Sequence, residues 1–193
     1  MLAGLGAAAL VAYPRPALLA RTLRNARRPQ VDAGAVAPVA AVLPDDPDAV
    51  REHVVRRLVP FVHDWDVYRV PYYFPTVHEV LEHGRGDCKS QALALASLLA
   101  AKGIPYRLLV SPDHIWVEYE GKEATAMEDP AVAVAEFREG RWHAVRPARL
   151  RLRSNARASA AAYWGAAPRT RRLVVAAGLL ALACWAAVRL AGR

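Results

Sequence analysis

The chain has 193 residues, of which 54% are hydrophobic and 23% charged, and it carries a formal net charge of +8. That length suits one ordinary domain with appendages and leaves no room for a second full core. The two cysteines, Cys88 and Cys184, cannot build a disulfide framework, so nothing in the composition calls for an oxidising compartment.

A basic excess of this size raises nucleic-acid binding as a function class, but the placement of the charge points elsewhere. Arg21, Arg24, Arg27 and Arg28 follow the apolar N-terminal stretch, while Arg146, Arg149, Arg151, Arg153, Arg157, Arg169, Arg171 and Arg172 lead into the C-terminal one. Basic runs beside apolar segments meet anionic lipid headgroups. Membrane lipid, and not nucleic acid, is therefore the expected non-substrate partner.

The opening stretch MLAGLGAAALVAYPRPALLA lacks a positive n-region and a convincing A-x-A cleavage site, which argues against a secretory signal peptide. Up to Tyr13 it is too short to span a bilayer, and Pro14 and Pro16 interrupt its continuation. Residues 1–30 thus read as a membrane-associated segment, and the Ala/Pro-rich residues 31–45 as a linker.

From there the spacing predicts a domain over residues 46–152. Asp46 caps and Pro47 opens an amphipathic helix with Val50, Val54, Val55 and Leu58 on its apolar face. Thr76 and Glu79 form a capping box for a short helix that stops at Gly84. HEVLEH within it resembles a zinc motif, but His78 and His83 are five apart and so fall on different faces. Asp87 caps the next helix, which buries Ala92, Leu95, Leu98 and Leu99 and ends at Gly103. Strands follow at Tyr106–Val110, in HIWVEYE and in EATAM, with a hairpin around Glu139-Gly140. Helices first and sheet second make an α+β core.

Residues 153–172 are an Arg-rich juxtamembrane segment, and residues 173–191 a transmembrane helix. At 1.5 Å per residue such a helix reaches about 28 Å, near the bilayer's hydrocarbon thickness. Arginine is denser before this span than after it, which places the central domain in the cytoplasm. An adhesion role for the Arg-Gly-Asp of GRGDC would need that tripeptide on an extracellular loop.

Cys88 falls on the first residue of the long apolar helix, where unpaired backbone N–H groups and the helix dipole favour a thiolate. His114 opens a strand, and Asp129 stands after the next predicted one, beside Glu128 as a competing carboxylate. Adjacent strands can bring an imidazole and a carboxylate together at that helix start, giving a nucleophile, a general base and acid, and an orienting group.

GRGDCKSQALALASLLAAKGIPYRLLV, then HIWVEY, then EDP, preceded by FPTVHEVLEHG, resembles the core pattern of the transglutaminase-like superfamily of papain-fold cysteine enzymes. The likeness runs from about Asp46 to Pro130. It implies Cys88 as nucleophile, His114 as base and acid, Asp129 as orienting carboxylate, a protein or peptide substrate, and no cofactor or metal. It further implies attack on an amide through a thioester, resolved by water or by an amine. Two departures are visible: Tyr73-Phe74-Pro75 replaces the family's Trp-x-x-P, and ATAMEDP is small around the final Asp-Pro. The Cys88 N–H supplies one oxyanion donor, with Tyr72 or Tyr73 as candidates for the second. Trp116 is either core or cleft wall. The competing reading is a catalytically silent binding or scaffold domain tethered to the membrane.

Overall fold

The computed structural model describes Tyr13, residues 15–125, 127–138, 140–146 and 164–178, and Leu180. Its architecture is α+β, with helices packed on a four-stranded antiparallel sheet of order β2-β1-β3-β4. The strands are β1 (Tyr106–Val110), β2 (Ile115–Tyr119), β3 (Ala135–Arg138) and β4 (Arg141–Ala144).

Two helices precede the predicted domain and belong to the same packed body. Helix α1 (Pro16–Arg27) starts with its proline in the first turn, where the missing N–H costs nothing. It buries polar Thr22 and Asn25. Asn25 Nδ2 donates to the Phe74 carbonyl at 2.9 Å, and Thr22 Oγ1 accepts from the Phe74 N–H at 3.3 Å. Arg21 pairs with Glu79, and Trp142 Nε1 donates to the Ala26 carbonyl at 2.7 Å.

Helix α2 (Ala33–Ala40) replaces the linker expected over residues 31–45. Asp32 caps it by accepting from Ala35 N–H at 3.0 Å, and Val36 and Ala40 are buried in the main core. Its apolar residues lack a helical period because the helix is too short to show one. Pro38 is tolerated inside it at the loss of one backbone bond.

The central helices follow the local signals. Asp46 accepts from Asp48 and Ala49 to cap α3 (Pro47–His53), which runs on as a π-helical turn over Val54–Leu58. After the short α4 (Asp64–Val67), the capping box of Thr76 and Glu79 forms in full on α5 (Val77–His83). Gly84 ends α5 in the left-handed region at φ 58°.

Helix α6 (Cys88–Ala101) is the axis of the fold, packed against α2, α5 and the β1–β2 hairpin. It is buried on nearly every side from Ala92 to Leu99, as expected of a helix apolar all round. Ser97, the polar exception, donates to the Leu93 carbonyl and accepts from the Asp32 N–H, which ties α2 to it.

The EATAM strand does not form: residues 122–125 are irregular, and the place beside β1 is taken by β3. Ala and Thr there lack the large alternating side chains that would hold a half-buried strand in register. β3 and β4 form the hairpin expected around 139–140, with Gly140 at φ 75°. Ile115, Val117 and Tyr119 face the main core, whereas Trp116 joins Leu109 and Ala133 in a small cluster on the opposite face.

Residues 164–166 and 169–178 are helical, with Arg171 seated over the Trp65 ring at 5.3 Å. Among the described residues no helix is long and apolar enough to cross a membrane. Residues 179 and 181–191 of the expected span, with Cys184, lie outside the described residues, as do residues 1–12 and 14 of the N-terminal segment.

Candidate active site

Two short backbone bonds fix the approach to Cys88. Gly86 N–H donates to the Pro60 carbonyl at 3.2 Å, and Val62 N–H donates to the Gly86 carbonyl at 2.9 Å. A Cβ on Gly86 would lie 2.3 Å from Ser90 Oγ and 2.5 Å from Ser90 Cβ, so a side chain there would collide with the first turn of α6. Asp87 then caps the helix by accepting from Lys89 N–H at 3.1 Å, which sets Cys88 at its first position. Asp87 is only 4% exposed, and its carboxylate is engaged with the Lys89 ammonium. The tripeptide Arg-Gly-Asp is therefore not displayed.

Cys88 and the His114 imidazole, which stands just before β2 on the neighbouring sheet edge, line the same two hollows, close enough for the sulfur to influence the charge of the ring. His114 Nε2 is 3.1 Å from Glu128 Oε1. A ring nitrogen serves one in-plane partner, so with Nε2 on Glu128 it is Nδ1 that is left for a second partner. The ring also lies nearly parallel to Trp116, with centroids 6.0 Å apart.

The expectation that Asp129 meets the imidazole is corrected by this geometry. Asp129 Oδ1 accepts from Ala131 N–H at 2.8 Å and caps the 3-10 turn Pro130–Val132. Glu128 is the carboxylate on the imidazole because the segment is irregular, and Thr125 Oγ1 holds its backbone by accepting from the Glu128 N–H at 3.1 Å.

Glu128 has two further cations that sequence reasoning missed. Lys122 Nζ lies 2.9 Å and Arg51 Nη2 3.4 Å from its Oε2. Lys122 also donates to the Val117 carbonyl at 2.7 Å and is buried along its stem. Burial works against a charged Glu128, but hydrogen bonds from His114 and Lys122 outweigh it and hold the carboxyl down at about 2. Burial likewise disfavours the imidazolium of His114, yet Cys88 and Glu128 beside the ring raise it to about 9.

Behind the sulfur lies a buried charge cluster that the spacing gave no hint of. Lys89, Asp64 and Asp87 are 1%, 2% and 4% exposed. Lys89 Nζ is 3.0 Å from Asp64 Oδ2, contacts Asp87, and sits 4.1 Å from the centroid of the Tyr72 ring. Asp64 Oδ2 also accepts from Tyr73 N–H at 2.7 Å. One ammonium faces two carboxylates, so Lys89 stays charged while burial, with Asp87 beside it, raises Asp64 to about 6. The only legible signal was a lysine in the first turn of an otherwise apolar helix.

Of the two tyrosines expected as oxyanion donors, Tyr73 is buried, and its hydroxyl donates to Glu79 Oε1 at 2.9 Å. Tyr72 instead lines the same hollow as Cys88. The Cys88 N–H lies in the first turn of α6, where no carbonyl stands one turn back to receive it.

Cys88 and His114 stand between two hollows. A narrow one of about 30 Å³ is bounded by Arg51, Gln91, Lys122 and Glu128. A wider one of about 300 Å³ lies between Tyr72, Phe74, Val110 and Trp142. Cys88 is thus half-buried and borders both hollows.

Comparison of the chain with protein-family models, curated proteins and solved structures finds no match. The functional reading accordingly rests on the site's own chemistry.

Proposed function

We propose that the protein is a cysteine-dependent enzyme that opens an amide bond through a thioester on Cys88. The observation that carries this reading is the Glu128 carboxylate 3.1 Å from the His114 imidazole, in a cleft that the imidazole lines together with Cys88 at the start of α6. Its resemblance to the transglutaminase-like superfamily supports the same reading, with Glu128 taking the orienting role in place of Asp129.

In this mechanism the Cys88 sulfur, its proton held by His114, attacks the amide carbonyl. The oxyanion is received by the Cys88 N–H, with Tyr72 the candidate for the second donor. When the carbon–nitrogen bond breaks, the imidazolium gives its proton to the departing amine. Water then enters, loses a proton to His114 and displaces the thiolate, releasing the acid. An amine in place of water gives transfer instead, and hydrolysis is the preferred outcome. Glu128, pinned by Lys122 and Arg51, holds the imidazole in the one tautomer this sequence needs.

The alternative of a silent scaffold domain fits less well, because Cys88 opens onto both hollows. A domain tethered to the membrane by residues 173–191 and facing the cytoplasm remains part of the proposal, because arginine is denser before that segment than after it.

The test is to trap the intermediate. Full-length protein in detergent is mixed with a pool of peptide amides and thioesters, quenched in acid and analysed by mass spectrometry. An acyl adduct on Cys88 that hydroxylamine removes, and that is absent in Cys88→Ala, is expected. Absence of any adduct on Cys88 across the pool would overturn the proposal.

A further inference from the structure

The wider hollow beside Cys88 differs from the rest of the cleft in what its walls can offer a ligand. Its polar groups are largely engaged within the protein. The Lys89 ammonium is held by Asp64 and Asp87, Ser111 Oγ donates to Asp113 Oδ1 at 2.8 Å, and Trp142 Nε1 donates to the Ala26 carbonyl. The space is faced by carbon, from Phe74, Val110, Pro112, Ile115, Trp142 and the Tyr72 ring. By contrast, a hollow of about 530 Å³ that shares Arg51 and Lys122 with the narrow one is bounded also by Asp48, Glu52, Arg56 and Glu123.

A volume of about 300 Å³ sits at the lower limit of small-molecule sites, which run from roughly 300 to 1,000 Å³. It suits one large side chain more than an extended polymer. The hollow shares Cys88, His114 and Ile115 with the narrow one, so a group seated in it is joined to the reacting carbonyl by a bond or two.

We infer that this hollow is a specificity subsite that takes one bulky apolar side chain, aromatic or branched aliphatic, of a peptide substrate next to the amide that Cys88 attacks. The inference rests on the proposed thiol chemistry and adds the substrate class. A small or anionic side chain gains nothing there, since an anion would lose its water and meet the Asp113 carboxylate at the wall. Full burial of a Leu- or Phe-sized group favours it over Ala by about 10- to 100-fold.

The experiment uses acetyl-dipeptidyl chloromethyl ketones in which each residue in turn carries the side chain of Phe, Leu, Ala or Glu. The Cys88 sulfur displaces chloride to form a thioether, and the alkylation rate of full-length protein in detergent is followed by mass spectrometry. Every rate is divided by the rate for iodoacetamide on the same variant. Phe and Leu are expected to exceed Ala and Glu by at least about tenfold at one of the two positions. Trp142→Ala should compress that ratio to within about threefold. Pro112→Glu, on an exposed turn at the rim, should lower the Phe and Leu rates without a core change. Ratios within about threefold for all four side chains in the wild type would overturn the subsite while leaving the thiol chemistry standing. If iodoacetamide labels Cys88 no faster in wild type than in His114→Ala, the functional reading itself fails, and the subsite with it.

Discussion

Glu128 Oε1 lies 3.1 Å from His114 Nε2, whereas the neighbouring carboxylate of Asp129 is turned back onto its own backbone at Ala131. Two adjacent acids therefore have separable roles. Glu128→Gln should slow acylation of Cys88 by at least about tenfold, because the imidazole loses its orienting charge. Asp129→Asn should leave that rate within about threefold and stability nearly unchanged, since an amide oxygen can still accept from the Ala131 N–H and hold the cap. Single-turnover acylation and urea denaturation on the two variants separate these outcomes, and the reverse pattern would return the role to Asp129.

The same pair makes stability depend on pH in a defined window. His114 is raised from 6.5 to about 9, so its contribution is complete below pH 6.5 and disappears as pH rises through 9. Glu128 is lowered from 4.5 to about 2, so its contribution is complete above pH 4.5 and disappears as pH falls through 2. The stability gap between wild type and Glu128→Gln should thus be greatest between about pH 4.5 and 6.5 and shrink by pH 9.5. Urea midpoints at pH 5.5, 7.5 and 9.5 would show it, and a gap that grows with pH would refute it.

Lys89 is the counter-ion for two buried carboxylates, so Lys89→Met should cost about 3–5 kcal/mol, far more than a surface lysine. Asp64 is already raised to about 6, and protonating it relieves the repulsion. The penalty should therefore be smaller at pH 5 than at pH 7.5. A penalty independent of pH in denaturation curves would mean that the carboxylates are solvated in the variant.

Gly86→Ala places a methyl group 2.5 Å from Ser90 Cβ, which is fixed to the helix backbone and cannot swing away. The first turn of α6 must shift, at a cost of about 1–3 kcal/mol. Because Cys88 sits on that turn, acylation should slow as well. Gly84→Ala, with open space around it but φ at 58°, should cost about 1–2 kcal/mol and leave acylation largely intact. Thermal melts beside acylation rates distinguish the two.

The features legible in the sequence are those whose physics is local. Asp46-Pro47, the Thr76 and Glu79 box, and Asp87 before Cys88 each act within one helical turn, and each cap forms where it was expected. The position of Cys88 at a helix start and of His114 just before β2 follows from the same signals. Glu128 could not be separated from Asp129, because side-chain alternation has meaning only in a regular strand, and that segment is not one. Lys122 and Arg51 reach Glu128 across the fold, and Asp64 reaches Lys89 over 25 residues of chain, contacts that no local pattern encodes. Helix α2 reads as a linker for a related reason: its eight residues are shorter than the window in which a helical period can be read.

The most direct test of the account is the rate at which iodoacetamide alkylates Cys88 between pH 5.5 and 9.5, in full-length wild type, His114→Ala and Glu128→Gln. The Cys88–His114 pair predicts that wild type reacts more than about tenfold faster than His114→Ala near pH 6.5, with Glu128→Gln in between. The difference should narrow above about pH 9, where His114 gives up its proton. Superimposed profiles for all three proteins would contradict it.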